Sequence, residues 1–495
     1  MTAHVQPTES PVAREFPEGL PLGDHWVEAP ATEEVRFPYD GTLVAHAPVG
    51  DTGLAHHAVE AALAVREQVG RLPSHTRRAA LLATHEAIAD RRADFERLLV
   101  LETGKPLVDC RVEVDRTLLT LLTAAEEVAR LHGETVPLDL LPSGEGLLGF
   151  WTRKPIGVVV GISGFNYPLL LAAHKLAPSL AAGCPAIAKP APQTPLATLW
   201  LVHLLREALR AHGAPRAAVQ LVTGGPEVGV ALTTDRRIGA VSFTGSAAVG
   251  HRIARDAAPT KVLLELGSNA ALVVAADADL DAAADAVVRG GYYASGQACI
   301  SVQRVIVVDA VREEFVARLT ERVARVAMGD PRDPATRVSA LIDERSTERV
   351  CAWLDEAVEA GASLVAGGKV TDGVIEPAVL LDVDDALALW DEEVFGPVVA
   401  VRSVPDLETA FDMVNASRYG LQASVYTSAL DTAFAALDRL EVGGVVVNEV
   451  PGFRSDVMPY GGVKDSGAGR EGPRFAIEEL TVTRMAVIRP TTTKP

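Results

Sequence analysis

The chain contains four cysteines, Cys110, Cys184, Cys299 and Cys351, and one of them is set apart by its neighbours. Cys299 lies in Ala294–Arg304, "ASGQACISVQR", among small and polar residues, just ahead of the strand-like "VQRVIVVD". A thiolate placed there can attack a carbonyl carbon. The same residue also reads as a small buried hydrophobe, as many free cysteines are. Cys184, beside Pro185 in an apolar run, fits the second reading. Cys110 and Cys351 fall in helical patterns without functional company. None of the four forms a C-x-x-C pair or has histidine at ligand spacing, so neither a disulfide framework nor a metal site is expected, and reduced cytoplasmic thiols are the simpler reading.

Two further residues supply what a thiol nucleophile needs. Glu265 stands in "KVLLELGSNAALVV", an otherwise apolar run ending at Gly267. A carboxylate there is either paired with an unseen cation or kept as a general base of raised pKa. Asn166 stands in "GISGFNYPLLLAAHKLAPSLAAG", which reads strand, turn, then a helix with Pro168 in its first turn. It is a helix cap or an amide aimed at a developing oxyanion. Two glycine turns between strand and helix, "VTGGPEVGVAL" (Gly224, Gly225, Gly229) and "VSFTGSAAVGHRIA" (Gly245, Ser246), open backbone N–H groups towards an anion, although neither matches G-x-G-x-x-G.

The elements that must position these residues follow from the hydrophobic pattern. Residues 1–25 are polar and Pro-rich at the start and read as a loose leader without the layout of a signal peptide. From about residue 51, apolar residues recur at helical spacing in "GLAHHAVEAALAVREQV", "HTRRAALLATHEAIADRRADFERLLVLETGK" and "EVDRTLLTLLTAAEEVARLHG". Strand–helix alternation then begins with "GVVVGIS", "PAIAKP", "AAVQLVTGG" and "IGAVSFTGS". A second alternating block holds "KVLLELGS", "ALVVAAD", "RVIVVD", "VVAVRSV", "SVYT" and "GGVVVNE". Continuous apolar strands of this kind predict α/β architecture with parallel sheets covered on both faces. "EGLLGFWTRKPIG" and "TVTRMAVIRP" read as edge strands suited to a subunit contact.

Composition narrows the function. The chain has 495 residues, long enough for two or three domains, and a formal net charge of −19 without a Lys/Arg-rich run. Nucleic acid and anionic membranes are therefore not expected partners. The longest apolar-looking run, Leu169 to Ala188, contains His174, Lys175, Pro178 and Pro185 and does not read as a membrane span.

From about Pro38 to Arg489 the chain resembles the aldehyde dehydrogenase superfamily. The landmarks appear in family order: "ETGKP" (102–106), "GFNYP" (164–168), "KPAPQTP" (189–195), "FTGSAAVG" (243–250), "LELGS" (264–268), "SGQACIS" (295–301), "EEVFGP" (392–397), "VNEV" (447–450) and "PYGGVKDSGAGREG" (459–472). The resemblance implies a Rossmann-type cofactor domain at 1–133 and 156–264, an α/β catalytic domain at 265–478, and a small β oligomerisation element at 134–155 and 479–495, in a homodimer or homotetramer. It implies Cys299 as nucleophile, Glu265 as base, Asn166 with the Cys299 backbone N–H as oxyanion hole, and Lys175 as support near Glu265 and Asn448. It assigns Lys189, Gly225, Gly229, Phe243, Gly245, Ser246, Leu266, Glu393 and Phe395 to an NAD(P)+ cofactor. Pocket residues by position are Tyr167, Leu171, His174, Ile300, Ser301, Phe453, Arg454 and Tyr460, and no metal is implied.

Departures from the family pattern refine these expectations. Pro192 stands three residues after Lys189, where many NAD-preferring relatives carry Glu. The repulsion of a 2′-phosphate is thereby removed, so NADP+ is expected to be tolerated or preferred. Ser268 stands where Gly is usual. "CISVQR" and the 447–472 region look most like the branch of lactaldehyde, glycolaldehyde, non-phosphorylating glyceraldehyde-3-phosphate and phosphonoaldehyde dehydrogenases. The expected substrate is a small polar or anionic aldehyde, with His174 and Arg454 as candidates to bind its hydroxyl or anion. Those two also read as a core histidine and a solvated loop charge. The competing functions are a coenzyme A-acylating enzyme, against which Glu265 argues, and a catalytically silent homologue that has kept the fold.

Overall fold

The computed structural model describes residues 17–490. Two large sheets organise the chain. The first has six strands in the order Gly467–Ala468, Lys261–Glu265, Ile238–Thr244, Val158–Ile162, Ala186–Lys189 and Val219–Leu221. All neighbours run parallel except Gly467–Ala468, which pairs antiparallel with Leu264 and Glu265. The second has seven strands, Ser363–Ala366, Ala378–Leu381, Val398–Val404, Arg304–Val308, Ala271–Val274, Gln422–Tyr426 and Gly444–Val447, parallel apart from the first.

The apolar strands are buried on both faces, as their sequence demands. In the second sheet, Val273, Ile306, Ala400 and Val425 join one core cluster, while Leu272, Val274, Val305, Val307 and Val399 join another on the opposite face. This is the period of two expected of a strand. The helices Thr52–Gly70, Ser74–Ala89, Arg92–Thr103 and Leu107–Glu127 pack with the first sheet into a single large core. The long helical run predicted from His75 to Lys105 is broken at Asp90 and Arg91.

Two expectations are corrected. The strand in "KVLLELGS" belongs to the first sheet, not the second block, because Lys261–Glu265 pairs in register with Ala240–Thr244. Within the expected loose leader, Leu20–Leu22 is a buried strand paired with His25–Val27; Leu20 and Leu22 are fully enclosed in the first core. The remainder of that leader, residues 1–16, lies outside the described residues. The two predicted edge strands meet each other: Leu148–Pro155 pairs antiparallel with Thr481–Ile488 along its length, and Glu134–Val136 completes a three-stranded sheet.

Candidate active site

The chain reaches Cys299 through a backbone that few residues tolerate. Ala294 and Ser295 have φ of 48° and 55°. Gly296 also lies in the left-handed region, and a Cβ there would stand 2.0 Å from the Gly396 carbonyl oxygen. Side chains hold this strained turn in place. Asp109 accepts from the Ala294 N–H at 2.9 Å, Ser295 Oγ accepts from Ser339 N at 2.9 Å, and Gln297 Oε1 accepts from Ile342 N at 3.0 Å. Cys299 thus emerges, half-buried, into a cavity of about 280 Å³ between the two sheets.

The same cavity is lined by Asn166 and Glu265. Asn166 is not the cap of the Pro168–Ala182 helix, since Tyr167 occupies the cap position without a side-chain bond. Its amide instead donates to the Gln297 carbonyl at 2.8 Å, which ties it to the Cys299 turn. Glu265 ends its strand with Oε2 buried and without a hydrogen-bond partner. A Cβ at Gly461 would come within 2.9 Å of Glu265 Oε1, so a glycine there leaves the carboxylate its space. Burial, then the negative charge of Glu471, push Glu265 well above the carboxylate range. Burial pushes the Cys299 thiol up to about 11, against a hydrogen bond from Tyr460 that lowers it.

Behind Glu265 lies a buried charge network. Lys175 donates to Thr244 Oγ1 at 2.6 Å and to Glu471 Oε1 at 3.3 Å. Glu471 also faces His174 Nδ1 at 3.2 Å and Arg454 Nη2 at 3.0 Å. Burial alone would raise Glu471; Lys175, His174 and Arg454 reverse that and hold it well below the usual range. Asp456 is a second anchor, taking Arg116 through two bonds of 2.9 and 2.8 Å and His174 Nε2 at 3.0 Å, with Arg454 Nε 3.3 Å away. Asp456 is likewise depressed, the bonds from His174 and Arg116 outweighing its burial.

Most of the predicted pocket residues meet in this cavity: Tyr167, Leu171, His174, Ile300, Arg454 and Tyr460 all line it. His174 and Arg454 are both buried, which removes the solvated-loop reading of Arg454. Two predicted residues do not line it. Phe453 is 51% exposed, because the turn that buries Arg454 sends its neighbour outward. Ser301 turns away to donate to the carbonyls of Gly290 and Gly291 at 3.2 and 3.1 Å. The Asn448 side-chain amide bonds the Thr427 backbone in both directions at 2.9 Å.

Sequence reading missed Arg116, Asp456 and Glu471. Arg116 follows Asp115 in a helix and reads as part of a solvated face. Glu471 lies in "GREG" without a distinguishing neighbour.

The groups assigned to a dinucleotide have surroundings that fit that role. The Ala247–Ala257 helix begins at Ser246 with no side-chain cap and no acid in its first turn, so its first N–H groups are open to a phosphate. Leu266 packs over Gly250, where a Cβ would stand 2.3 Å from its methyl, and the Phe243 ring lies where a Cβ at Gly245 would be. Glu393, lining the Cys299 cavity, is fixed by the Ser268 N–H at 3.0 Å, and burial pushes it up to about 7. This gives Ser268 a backbone task. Phe395 lies beside Phe165 in an edge contact at 5.6 Å. Lys189 is buried, with the Pro190 carbonyl 3.5 Å from Nζ, and burial lowers it to about 8. Gly229 lies against its stem, while Gly225 leaves room for the Glu227 carboxylate.

A thiol, a free carboxylate and an amide facing one cavity, beside an open helix start, are the groups of an enzyme that works on a carbonyl carbon through a covalent sulfur adduct. The Aldehyde dehydrogenase family profile matches residues 26–486, and the chain belongs to that family. Among curated relatives, it is 42% identical over 374 residues to 3-sulfolactaldehyde dehydrogenase of Priestia megaterium, covering 75% of this chain and 78% of the relative. It is 34% identical to lactaldehyde dehydrogenase of Methanococcus aeolicus, covering 92% and 97%. The crystal structure of glyceraldehyde-3-phosphate dehydrogenase GapN from Methanocaldococcus jannaschii complexed with NADP superposes with a TM-score of 0.90 at 32% identity, covering 93% of this chain and all of that one.

Proposed function

We propose that this chain oxidises a small polar or anionic aldehyde to the carboxylic acid with NAD(P)+, through a thioester on Cys299. The observation that carries this reading is that Cys299, Asn166 and the unpartnered Glu265 carboxylate line one cavity with Glu393 and Phe395. The first sheet's side, with Lys189, the Gly225–Gly229 turn, Phe243, Gly245, Ser246 and Leu266, holds the dinucleotide, while Glu393 and Phe395 come from the second. The bound dinucleotide supplies an acceptor for the hydride of the substrate's carbonyl carbon.

The protein's own residues do the rest. The Cys299 thiolate adds to the carbonyl carbon, and the π pair moves to oxygen, where the Asn166 amide and the Cys299 N–H stabilise it. The carbonyl that re-forms on Cys299 belongs to a thioester. Glu265, buried and with Oε2 unpartnered, takes a proton from water as the water adds to the thioester carbonyl, and the C–S bond breaks to return the thiolate. Its free oxygen facing the cavity favours water over coenzyme A as the acceptor. Lys175 positions Thr244, whose carbonyl end adjoins Gly245.

The substrate class follows from one wall of the cavity. Arg116 and Arg454 bring two guanidinium groups to the cavity lining beside His174, with their partner carboxylates Asp456 and Glu471 set behind them. Guanidinium groups facing the cavity suit an anionic or strongly polar group near the aldehyde.

The chain works as a homodimer or homotetramer in the cytoplasm. The Leu430–Arg439 helix exposes Leu430, Phe434 and Leu437 on one face beside the sheet-edge strand Gly444–Val447, and the strand Thr481–Ile488 exposes Val482, Met485 and Val487. Among the described residues no helix is long and apolar enough to cross a membrane.

The test is a panel of hydroxy-, phospho-, sulfo- and dicarboxylic semialdehydes against propanal, each with NAD+ and with NADP+. Arg454→Ala should raise KM for the anionic aldehydes at least tenfold more than for propanal. Equal effects would remove the anionic assignment, and absence of reduced nicotinamide with every aldehyde would remove the enzyme.

A further inference from the structure

Cys299 has an unfavourable setting for a thiolate. It is half-buried, and the carboxylates of Glu265 and Glu393 both oppose a negative sulfur; Arg454 favours one, and the Tyr293 phenol lies nearby. The amide of Asn166 is engaged with the Gln297 carbonyl. Among the described residues, the side chain hydrogen-bonded to the sulfur is Tyr460, whose hydroxyl is 3.3 Å from Cys299 Sγ.

Tyr460 is built for that contact. Its backbone is bridged to Glu471 in both directions, at 3.2 and 2.6 Å. Its ring, almost wholly buried, lies under the Arg454 guanidinium at 3.7 Å from the centroid. Arg454 is itself held over the ring by Glu471 at 3.0 Å and Asp456 at 3.3 Å. A cation on the face of a phenol draws density from the ring and makes the O–H a better hydrogen-bond donor.

We propose that Tyr460 is a catalytic residue of this chain, its hydroxyl donating to the Cys299 thiolate and its donor strength set by the Arg454 guanidinium stacked on its ring. No proton is transferred in this contact. When the sulfur bonds to the carbonyl carbon it loses its charge and the hydrogen bond weakens. When the C–S bond of the thioester breaks, the electron pair returns to sulfur and Tyr460 again meets a thiolate. The hydroxyl therefore stabilises the free enzyme's nucleophile and the departure of the leaving group. Losing it lowers kcat while KM for the aldehyde stays within about twofold.

The inference rests on Cys299 being the nucleophile, and its test is independent of turnover. The whole protein, without aldehyde or dinucleotide, is treated with iodoacetamide between pH 7 and 9, and the rate of labelling is read on the peptide containing Cys299. Tyr460→Phe keeps the ring, the cation and the backbone bridge and removes one oxygen. A hydrogen bond to a charged group corresponds to roughly one pKa unit. Lower thiolate population reduces labelling about tenfold, and the greater intrinsic reactivity of a more basic sulfur returns part of it, so a net fall of about threefold or more is expected. Labelling within a factor of two of the parent, or faster, would overturn the proposal. If instead no aldehyde is oxidised by the parent, the functional reading fails while the labelling comparison still reports on Tyr460.

Discussion

Replacing Lys105 by Met should damage both the fold and the chemistry, by amounts that the structure sets. Lys105 is buried and carries three contacts: an ion pair with Glu113, a hydrogen bond of 2.7 Å to the Asn166 carbonyl, and the face of the Tyr167 ring at 3.6 Å. Glu113, fully buried, spends its other oxygen on Leu169 N at 2.9 Å and Leu170 N at 3.2 Å, capping the Pro168–Ala182 helix from outside. Removing one member of a buried pair costs about 3–5 kcal/mol. Because Glu113 keeps two N–H donors at a helix start, the lower end, about 3 kcal/mol, is expected. The lost bond to Asn166 also loosens the amide that faces the oxyanion, and kcat should fall roughly tenfold. The assay is denaturant unfolding beside steady-state kinetics, with Arg71→Ala as a control in which an exposed i,i+4 pair is lost and the midpoint should barely move. The kinetic effect is checked in an Asn166→Ala background, where Lys105→Met should add little to the loss in kcat. If Lys105→Met shifts stability no more than the control, or if its effect on kcat is undiminished without the Asn166 amide, the bracing argument is wrong.

Glu265→Gln should leave a stoichiometric burst of reduced nicotinamide while steady turnover falls by two orders of magnitude or more, since formation of the thioester does not use the base and its hydrolysis does; rapid-mixing absorbance distinguishes the two. Stability should decline from about pH 5 to pH 8. Burial raises Asp109 to about 6, Glu393 to about 7 and Glu102 to about 8, so over that window the unfolded chain releases protons that the folded chain retains. Glu102→Gln should flatten the slope of unfolding midpoint against pH, whatever its constant offset; an unchanged slope refutes the assignment. NADP+ should be accepted, since Pro192 offers no carboxylate to a 2′-phosphate; among the ionisable groups it is Glu227 that acts electrostatically on Lys189. Glu227→Gln should therefore raise the NADP+/NAD+ ratio of kcat/KM, and no change would remove Glu227 from cofactor choice. Phe434→Glu should dissociate the oligomer in sedimentation experiments without altering the secondary structure.

The parts of this site that could be read from sequence share a local signature. Cys299, Glu265 and Asn166 each sit at a strand end or turn, with glycines or small residues that have no packing reason to be there. The strands were legible because burial on both faces demands unbroken apolar runs. Membership of a sheet was not, because it depends on which neighbour supplies the hydrogen bonds: Lys261–Glu265 was placed with the wrong sheet for that reason. Gly467–Ala468 is too short for any periodicity, yet its pairing with Leu264 and Glu265 brings the 460–471 loop against the base. Arg116, Asp456 and Lys105 escaped because their burial is created by distant segments. Lys105 meets Asn166 across 61 positions and Arg116 meets Asp456 across 340. The strand at Leu20–Leu22 was hidden by Pro21, which an edge strand tolerates.

The network also decides which of two adjacent buried carboxylates serves as base. Glu265 and Glu471 repel each other, and a site of this kind settles by pushing their pKa values apart. Lys175, His174 and Arg454 all contact Glu471, while Glu265 Oε2 has no partner. Glu471 is therefore locked as the permanent anion and is too well solvated by cations to accept a proton near neutrality. For Glu265, burial and its neighbour's charge outweigh the partial relief from Arg454, Lys175 and Arg470, which makes it the stronger base of the two and leaves it facing the cavity. The same cations that silence Glu471 include the guanidinium stacked on Tyr460, so the arrangement that raises the base's proton affinity also strengthens the donor at the nucleophile. Exchanging Glu471 for Gln should accordingly lower the pKa of Glu265 and weaken the hold on Arg454 together, moving the acidic limb of the kcat profile down in pH while slowing thiol alkylation. A variant that shifted one without the other would separate the two functions assigned here to a single network.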